Sequence, residues 1–269
     1  MADTFSLFTS GSRFPILAGP CVVESYDVLS QVAERFVEIQ SKLSVSFIFK
    51  SSYRKANRTS GTSFTGIGDE AALSLLAKIK KEFSLPVVTD IHLPNEAAMA
   101  AEVADVLQIP AFLARQSDLL EAAAATGKIV NIKKGQFMSP QDMKFAREKV
   151  ISSGNTNVLL TERGTMFGYG DLVVDFRSLP IMRSFGSPVI YDATHSVQRP
   201  SQNGFSGGAR EFIEPLAKAA VAIGVNGLFI ETHPDPSKAK SDAASQLPLS
   251  ELEALLASLI AIRQSVTVK

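Results

Sequence analysis

The chain has 269 residues, of which 45% are hydrophobic and 20% are charged, and this is sufficient for one large globular domain with a substantial core. Its 27 Lys and Arg residues balance its 27 Asp and Glu residues, which excludes a bulk positive field for nucleic acid or an anionic membrane. Any phosphate binding must therefore be local, and small charged metabolites are the expected partners.

The N-terminus and the cysteine content indicate the compartment. The only apolar segments near the N-terminus are short, at 5–8 and 14–18, and no basic region precedes them, so no signal peptide is predicted. No run approaches the roughly 18 apolar residues of a membrane span. Cys21 is the single cysteine, so no internal disulfide can form. We expect a cytoplasmic protein that binds neither membrane nor nucleic acid.

Short apolar runs alternate with longer helical patterns along the chain. The predicted strands lie at 14–18, 45–50, 86–90, 105–109, 128–133, 157–161, 188–192 and 227–231. The predicted helices lie at 25–42, 69–83, 95–103, 118–126, 139–152, 175–185, 208–223 and 249–265. Capping residues support several helix starts, and glycines follow several helix ends.

Eight strand-helix units in about 250 residues are the number and size typical of a TIM (β/α)8 barrel, which is an α/β fold. A doubly wound open sheet is the alternative, although it usually has fewer strands and needs a switch point. No change in composition marks a linker. We therefore predict one catalytic barrel domain over 1–269, with a short N-terminal extension at 1–13.

Charged residues repeatedly follow the apolar strands. Lys50, Asp90 and Lys133 end three of them, and the segment after the seventh strand carries His195. In TIM barrels the active site lies at the carboxyl ends of the strands. The pattern predicts one polar active site assembled from many strand ends.

Four potential metal ligands fall on neighbouring strands of such a barrel. Cys21 follows strand one, His195 follows strand seven, Glu231 ends strand eight and Asp242 lies in the next loop. A thiolate, an imidazole and two carboxylates suit a divalent ion such as Fe, Zn, Mn or Co. Each residue alone has an ordinary structural explanation, and His233 is an alternative to His195. Their convergence at one rim predicts a metal site.

A second set of residues is cationic: Lys50, Lys55, Arg58, Arg115, Lys133, Lys134 and Arg163. On a chain without net charge, several of these at strand ends predict a local pocket for phosphate and carboxylate groups. Lys134 is instead expected to be a solvated loop residue. The polar segment 55–61 is expected to grip a phosphate. The Gly- and Pro-containing segment 197–208 is expected to be either a flexible loop that closes over the site or simply a disordered surface loop.

Long motifs from about residue 14 to about residue 249 resemble the 3-deoxy-D-manno-octulosonate 8-phosphate synthases. These motifs are GPCVVES (19–25), FKSS (49–52), KANRTS (55–60), QIPAFLARQ (108–116), NIKKGQF (131–137), TERG (161–164), FGY (167–169), YDATHS (191–196) and ETHP (231–234). The resemblance implies a TIM barrel, usually a homotetramer, that condenses phosphoenolpyruvate with arabinose 5-phosphate and releases inorganic phosphate. The product feeds the inner sugar of Gram-negative lipopolysaccharide.

The motifs also separate this chain from related synthases that use erythrose 4-phosphate (DAHP synthases). Those relatives carry a Lys-Pro-Arg-Thr-Ser loop, whereas this chain inserts Asn57 between Ala56 and Arg58, which points to the pentose phosphate. Cys21 resembles the metal-dependent class of the family, since members with Asn at this position work without a metal. Tyr53 and Arg54 depart from the Phe-Asp pair that is common in the family.

By the same resemblance, phosphoenolpyruvate is expected deep in the barrel, on Lys50, Lys55, Gln108, Arg115, Lys133 and Arg163. The sugar phosphate is expected nearer the rim, on Asn57, Arg58 and Thr59, with Arg58 serving the site of a neighbouring subunit. The predicted catalytic residues are Lys55, Asp90, His195 and Asp242, and the predicted metal ligands are Cys21, His195, Glu231 and Asp242. Two other classes stay open, a Schiff-base aldolase that uses Lys133 or Lys50 and a non-catalytic sugar-phosphate binding protein.

Overall fold

Eight parallel strands close into a barrel, as the sequence predicts. The computed structural model describes residues 4–56, 63–168, 171–202 and 205–266. The barrel strands are β1 (Phe14–Gly19), β2 (Val45–Lys50), β3 (Val87–Asp90), β4 (Val106–Ile109), β5 (Ile129–Lys133), β6 (Val158–Glu162), β7 (Val189–Asp192) and β8 (Gly227–His233). Each strand pairs with the next, and β8 pairs in parallel with β1, with Ile16 opposite Leu228. This closure excludes the open doubly wound sheet.

A helix follows each barrel strand. The helices are α1 (Tyr26–Lys42), α2 (Asp69–Phe83), α3 (Glu96–Ala101), α4 (Ser117–Ala125), α5 (Met143–Ser152), α6 (Ser178–Arg183), α7 (Ile213–Ile223) and α8 (Leu252–Ser265). In α1, Ser25 Oγ accepts a hydrogen bond from the Val28 N–H, and the apolar stripe of the helix is buried against the barrel. No described helix is long and apolar enough to cross a membrane.

Several elements differ in length from the prediction. Helix α5 begins at Met143 instead of residue 139, because Ser139 Oγ accepts a hydrogen bond from the Asp142 N–H in a preceding turn. Helix α3 is also shorter than predicted. Strand β8 extends to His233, since its last residues pair with the short strand Leu247–Pro248. The extension places the residues after β8 above the mouth of the barrel.

Two antiparallel hairpins were not predicted, and the second of them forms from the segment that was expected to be a flexible loop. The first pairs Thr165–Met166 with Leu172–Val173, and the second pairs Gln198–Gln202 with Phe205–Gly208. A Cβ atom at Gly208 would lie 2.9 Å from Ser245 Cβ. Glycine therefore lets the second hairpin approach the loop that carries Asp242.

The barrel interior has an apolar zone at the amino end of the strands and a polar zone at their carboxyl end. The apolar zone is filled by Leu17, Ile48, Val88, Val106, Ile129, Leu159, Ile190 and Phe229. A larger apolar cluster lies between the barrel and the helices, where the Phe36 and Phe47 rings stack 4.0 Å apart. Because both apolar regions are closely filled, the chemistry is confined to the carboxyl end.

A short helix, Ser6–Thr9, closes the amino end of the barrel within the predicted N-terminal extension. Phe8 is 2% exposed and packs into the apolar zone. Its carbonyl oxygen accepts a hydrogen bond from Asn226 Nδ2 at 3.2 Å. The extension thus contributes to the core.

We predict that Phe8→Ala lowers the free energy of unfolding by about 3 kcal/mol, because it leaves a cavity at the end of the barrel. Urea denaturation followed by circular dichroism measures this change. Phe145→Ala is the matched control, since Phe145 is 62% exposed, and we expect a change below about 0.5 kcal/mol. Equal effects of the two substitutions would contradict a role for Phe8 in the core.

Candidate active site and metal centre

A cavity of about 620 Å³ opens at the carboxyl end of the barrel. Its walls come from strand ends, from the loops that follow them and from the base of the second hairpin. Eight of the predicted site residues line it: Lys50, Lys55, Asp90, Gln108, Lys133, Arg163, His195 and Asp242. The predicted convergence of polar strand ends is therefore present in the fold.

Three of the four predicted metal ligands form a compact group. One ligand atom from each of Cys21, Glu231 and Asp242 lies within 4.8 Å of the other two. Cys21 Sγ is 3.0 Å from Asp242 Oδ2. Cys21 and Glu231 are completely buried, whereas Asp242 reaches the cavity.

His195 lies beside this group but is not part of it. Its Nε2 atom is 3.6 Å from Glu231 Oε1, and its Nδ1 atom is 2.9 Å from Asp192 Oδ2. A carboxylate on the far nitrogen is the usual support for a metal-binding histidine. The alternative, His233, has Nε2 3.8 Å from Glu24 Oε2, and its Nδ1 accepts the Asp235 N–H. The geometry favours His195 over His233.

The residues of this group fit a divalent ion. Glu231 Oε2 is buried and has no hydrogen-bond partner among the described residues. Burial, together with the carboxylates of Asp242 and Glu231, raises the pKa of the Cys21 thiol well above its usual value. Asp242 has the left-handed φ of 50°, which is uncommon for a residue with a side chain. A cation would complete the coordination of Glu231 and favour the Cys21 thiolate.

Lys50 is held among acidic groups at the centre of the site. The side chain is 1% exposed, and Nζ lies 2.6 Å from Glu231 Oε1 and 3.7 Å from Asp90 Oδ2. Burial alone would lower its pKa, but Glu231 and the other nearby acidic groups, chiefly Asp90, together outweigh burial, and the pKa is raised. Lys50 therefore carries a positive charge within the cavity.

Lys133 is also buried and paired with a carboxylate, but burial and pairing change its pKa in a different proportion. Its Nζ atom lies 2.7 Å from Asp192 Oδ2 and 3.6 Å from the centroid of the Phe229 ring. Burial lowers the pKa of Lys133 more than Asp192 raises it, and the nearby Lys50 adds to the lowering. Lys133 is the more easily deprotonated of the two lysines.

Arg163 offers an unused donor to an anion. The residue is 5% exposed, and Nη2 donates to Gln198 Oε1 at 3.1 Å. Nη1 is buried and has no hydrogen-bond partner in the described part of the chain. A guanidinium group in this state is suited to a phosphate or carboxylate oxygen. The contact also ties the base of the second hairpin to Arg163.

The segment after β2 brings Lys55 towards the group formed by Cys21, Glu231 and Asp242. Its backbone N–H donates to Thr65 O at 2.8 Å. Burial would lower the pKa of Lys55, but Cys21, Glu231 and Asp242 raise it, so the lysine stays charged. Asn57, Arg58 and Thr59, the predicted sugar-phosphate residues, lie outside the described residues.

The unusual Tyr53-Arg54 pair forms its own anchored cluster. Arg54 contacts the Glu96 carboxylate and lies 3.3 Å from Asp69 Oδ2. The Tyr53 hydroxyl donates to Glu96 Oε2 at 2.5 Å. Arg54 also lines the cavity, but its positive charge is balanced by these two carboxylates.

Two of the predicted cationic residues do not line the cavity. Arg115 is exposed and does not line the cavity. The expectation that Lys134 is a solvated loop residue is wrong, because its side chain is 0% exposed. Lys134 Nζ donates to Gly164 O and Thr165 Oγ1, each at 3.1 Å, and lies 3.4 Å from Glu162 Oε1. Lys134 thus joins the loops after β5 and β6 beneath Arg163.

Sequence reasoning missed the buried polar side chains below the cavity, notably Asn131, Thr161 and Asp192. Asn131 interrupts the apolar run of β5, which was the one available signal. Asp192 receives the His195 backbone N–H at 2.8 Å in addition to its contacts with the His195 ring and Lys133. It therefore orients two site residues at once.

A family model for the "DAHP synthetase I family" matches residues 7–267. The chain belongs to this family. It is 56% identical over 261 residues to a protein of Nitratidesulfovibrio vulgaris named 2-dehydro-3-deoxyphosphooctonate aldolase, covering 97% of this chain and 95% of that protein. Proteins with the same name from Brucella anthropi and Bartonella henselae are 54% and 51% identical over 255 residues. These matches cover 94% of this chain and 92% and 91% of the relatives.

We predict that Lys134→Met lowers the free energy of unfolding by about 3 kcal/mol, because it leaves the Glu162 carboxylate and several loop carbonyls buried without their cation. Chemical denaturation measures the change. Lys144→Met is the control, since Lys144 forms an exposed pair with Glu148, and we expect a loss below about 1 kcal/mol. If Lys134→Met left the free energy of unfolding unchanged, this would contradict the conclusion that Lys134 joins the loops after β5 and β6.

Proposed function

We propose that this chain condenses phosphoenolpyruvate with D-arabinose 5-phosphate and water, giving 3-deoxy-D-manno-octulosonate 8-phosphate and inorganic phosphate. The observation that carries the proposal is the union, at one barrel mouth, of buried cations for two anionic substrates with a ligand group for a divalent ion. The names and high identity of the relatives support the same reaction. The reaction would take place in the cytoplasm and supply the inner sugar of lipopolysaccharide.

The cations have distinct roles in this proposal. Arg163 and Lys133 bind the phosphate and carboxylate of phosphoenolpyruvate, while Lys50 and Gln108 hold its enol end at the cavity floor. Lys55, which interacts with Cys21, Glu231 and Asp242, meets phosphoenolpyruvate on the side of these proposed metal ligands. Arg115 is exposed, so a direct contact with phosphoenolpyruvate requires a site other than the cavity of its own chain.

The reaction forms one carbon–carbon bond, and at C2 it forms a carbon–oxygen bond to water and breaks the carbon–oxygen bond to phosphate. The C3 carbon of phosphoenolpyruvate attacks the aldehyde carbon, and water adds to the cationic C2 carbon that results. Phosphate then leaves C2. Asp90 lies on the cavity wall, where its carboxylate accepts or returns the protons of water and the new hydroxyl group, while His195 and Asp242 on the same wall take part as ligands of the ion.

Cys21, His195, Glu231 and Asp242 would hold the divalent ion, which is Fe, Zn, Mn or Co by the chemistry of the donors. When bound, the ion supplies positive charge that orients the aldehyde or a water molecule. Asp192 orients the His195 ring for this role, because it contacts Nδ1 and so directs Nε2 towards Glu231.

Phosphate release tests the proposed substrates. We predict release from phosphoenolpyruvate with arabinose 5-phosphate, and less than about a tenth of that rate with erythrose 4-phosphate, since one misplaced contact in a polar site costs at least about tenfold. Colorimetric phosphate detection measures both rates. A preference for erythrose 4-phosphate would instead assign the reaction of the DAHP synthases.

The metal requirement is tested on the same assay. We predict that wild-type activity is lost in chelator and restored by a divalent ion, whereas Cys21→Asn keeps part of its activity in chelator because the ion chiefly positions the reactants. Cys21→Ala is the control and should lose activity in both conditions. Metal content by mass spectrometry should fall in both variants. Inactive but folded Cys21→Asn protein would contradict the positioning role.

A homotetramer with its sites near subunit interfaces is part of the proposal. It is supported by exposed aromatic side chains at the carboxyl end, with Phe112, Phe137 and Phe167 each more than half exposed. We predict a mass about four times that of the chain by light scattering. Phe112→Asp should dissociate the assembly because it places a charge in an apolar contact, and Val37→Asp should not. A wild-type protein that is monomeric by light scattering would contradict the proposed homotetramer.

A Schiff-base aldolase is the second candidate, because the lowered pKa of Lys133 is what an amine nucleophile needs. The close pairing of Lys133 with Asp192 opposes it. Borohydride with pyruvate would trap a covalent adduct on Lys133 only in this second case. A non-catalytic binding protein would bind both phosphates without releasing either.

A further inference from the structure

A row of four hydrogen-bonded side chains crosses the barrel interior, and two of the four line the cavity. Thr161 Oγ1 donates to Asn131 Oδ1 at 2.7 Å, Asn131 Nδ2 donates to Gln108 Oε1 at 2.9 Å, and Gln108 Nε2 donates to Asp90 Oδ1 at 2.7 Å. All four residues are buried. The row therefore links strands β6, β5, β4 and β3 by side chains alone.

The Asp90 carboxylate at one end of the row determines which group donates and which accepts in each hydrogen bond. A carboxylate only accepts, so Asp90 requires the NH2 group of Gln108 to face it. The Gln108 oxygen must then face Asn131, which has to donate its own NH2 group. The Asn131 oxygen is consequently left for the Thr161 hydroxyl. Burial would raise the pKa of Asp90, but Lys50, Lys55 and Lys133 hold it well below its usual range.

Gln108 and Asp90 line the cavity, whereas Asn131 and Thr161 do not. The NH2 group of Gln108 has two hydrogens, of which Asp90 accepts one. The second is available to an anionic ligand in the cavity. A flipped amide would present its oxygen to the ligand and repel it.

We propose that Asn131 and Thr161 are positioning residues that fix the Gln108 amide in the orientation that binds phosphoenolpyruvate. This inference rests on the proposed function, because it takes phosphoenolpyruvate as the ligand. Neither residue touches the substrate. Their effect passes through the two hydrogen bonds that join Thr161, Asn131 and Gln108.

Asn131→Asp tests the polarity of the row with almost no change in shape. The introduced carboxylate cannot donate to Gln108 Oε1 and competes with Asp90 for the NH2 group, so we expect phosphoenolpyruvate to bind about tenfold more weakly near pH 8. The defect should shrink as the pH falls, since the protonated carboxyl group can donate as asparagine does. The buried charged groups on the barrel strands are Lys50 on β2, Asp90 on β3, Lys133 on β5, Glu162 on β6, Asp192 on β7 and Glu231 on β8. The ratio to wild type at each pH removes their own effect.

Thr161→Val and Thr161→Ser form the second, milder pair. Valine keeps the shape but removes the donor to Asn131, so it should weaken phosphoenolpyruvate binding severalfold, whereas serine should restore it. If Thr161 had only a structural role, the substitutions would change thermal stability without changing the affinity for phosphoenolpyruvate relative to wild type. The pair therefore remains informative if Asn131→Asp does not fold.

Calorimetric binding of phosphoenolpyruvate alone, together with its KM and kcat, is measured from about pH 6 to about pH 8. Unchanged affinity in both Asn131→Asp and Thr161→Val would overturn the proposal, as would a serine variant as weak as valine. Wild-type protein that binds phosphoenolpyruvate but releases no phosphate would remove the proposed reaction and leave this inference standing. Wild-type protein that binds none would remove both.

Discussion

Two lysine ammonium groups lie inside the mouth of the barrel, each against a carboxylate from another strand. Lys50 meets Glu231 at 2.6 Å, and Lys133 meets Asp192 at 2.7 Å. Removing these charges from water costs free energy. The attraction between each ammonium group and its carboxylate offsets that cost. Loss of one partner would leave a buried charge uncompensated, typically at about 3–5 kcal/mol. The polar mouth thus depends on this pairing as much as the lower barrel depends on apolar packing.

The same carboxylates connect the parts of the site. Glu231 is shared between Lys50 and the ligand group with Cys21 and Asp242. Asp192 is shared between Lys133 and His195. The residues that we propose bind anions and those that we propose hold a cation are therefore parts of one electrostatic unit. A substrate that displaces a lysine from its carboxylate changes the charge available to the ligand group, so the two binding events are expected to be coupled.

The strand-helix rhythm predicted the barrel, because each apolar run is long enough for a strand and each helix has its own apolar stripe. The position of charges just after the strands predicted eight of the residues that line the cavity and the meeting of Cys21, Glu231 and Asp242. Depth within the barrel was not predictable. Lys133 and Lys134 are adjacent in sequence, yet one lines the cavity and the other joins two loops beneath it. Pairing across strands, such as that of Asn131 with Thr161, has no local signal, since the partners are 30 residues apart.

The most direct test of a shared site for a cation and phosphoenolpyruvate is anomalous scattering from crystals loaded with cobalt and phosphoenolpyruvate. The account predicts a cobalt peak roughly 2.0–2.3 Å from Cys21 Sγ and from the nearest oxygens of Glu231 and Asp242, with His195 Nε2 as the fourth ligand. The phosphate should lie within hydrogen-bond distance of Arg163. A cobalt peak away from these residues, or phosphoenolpyruvate bound outside the cavity, would contradict it.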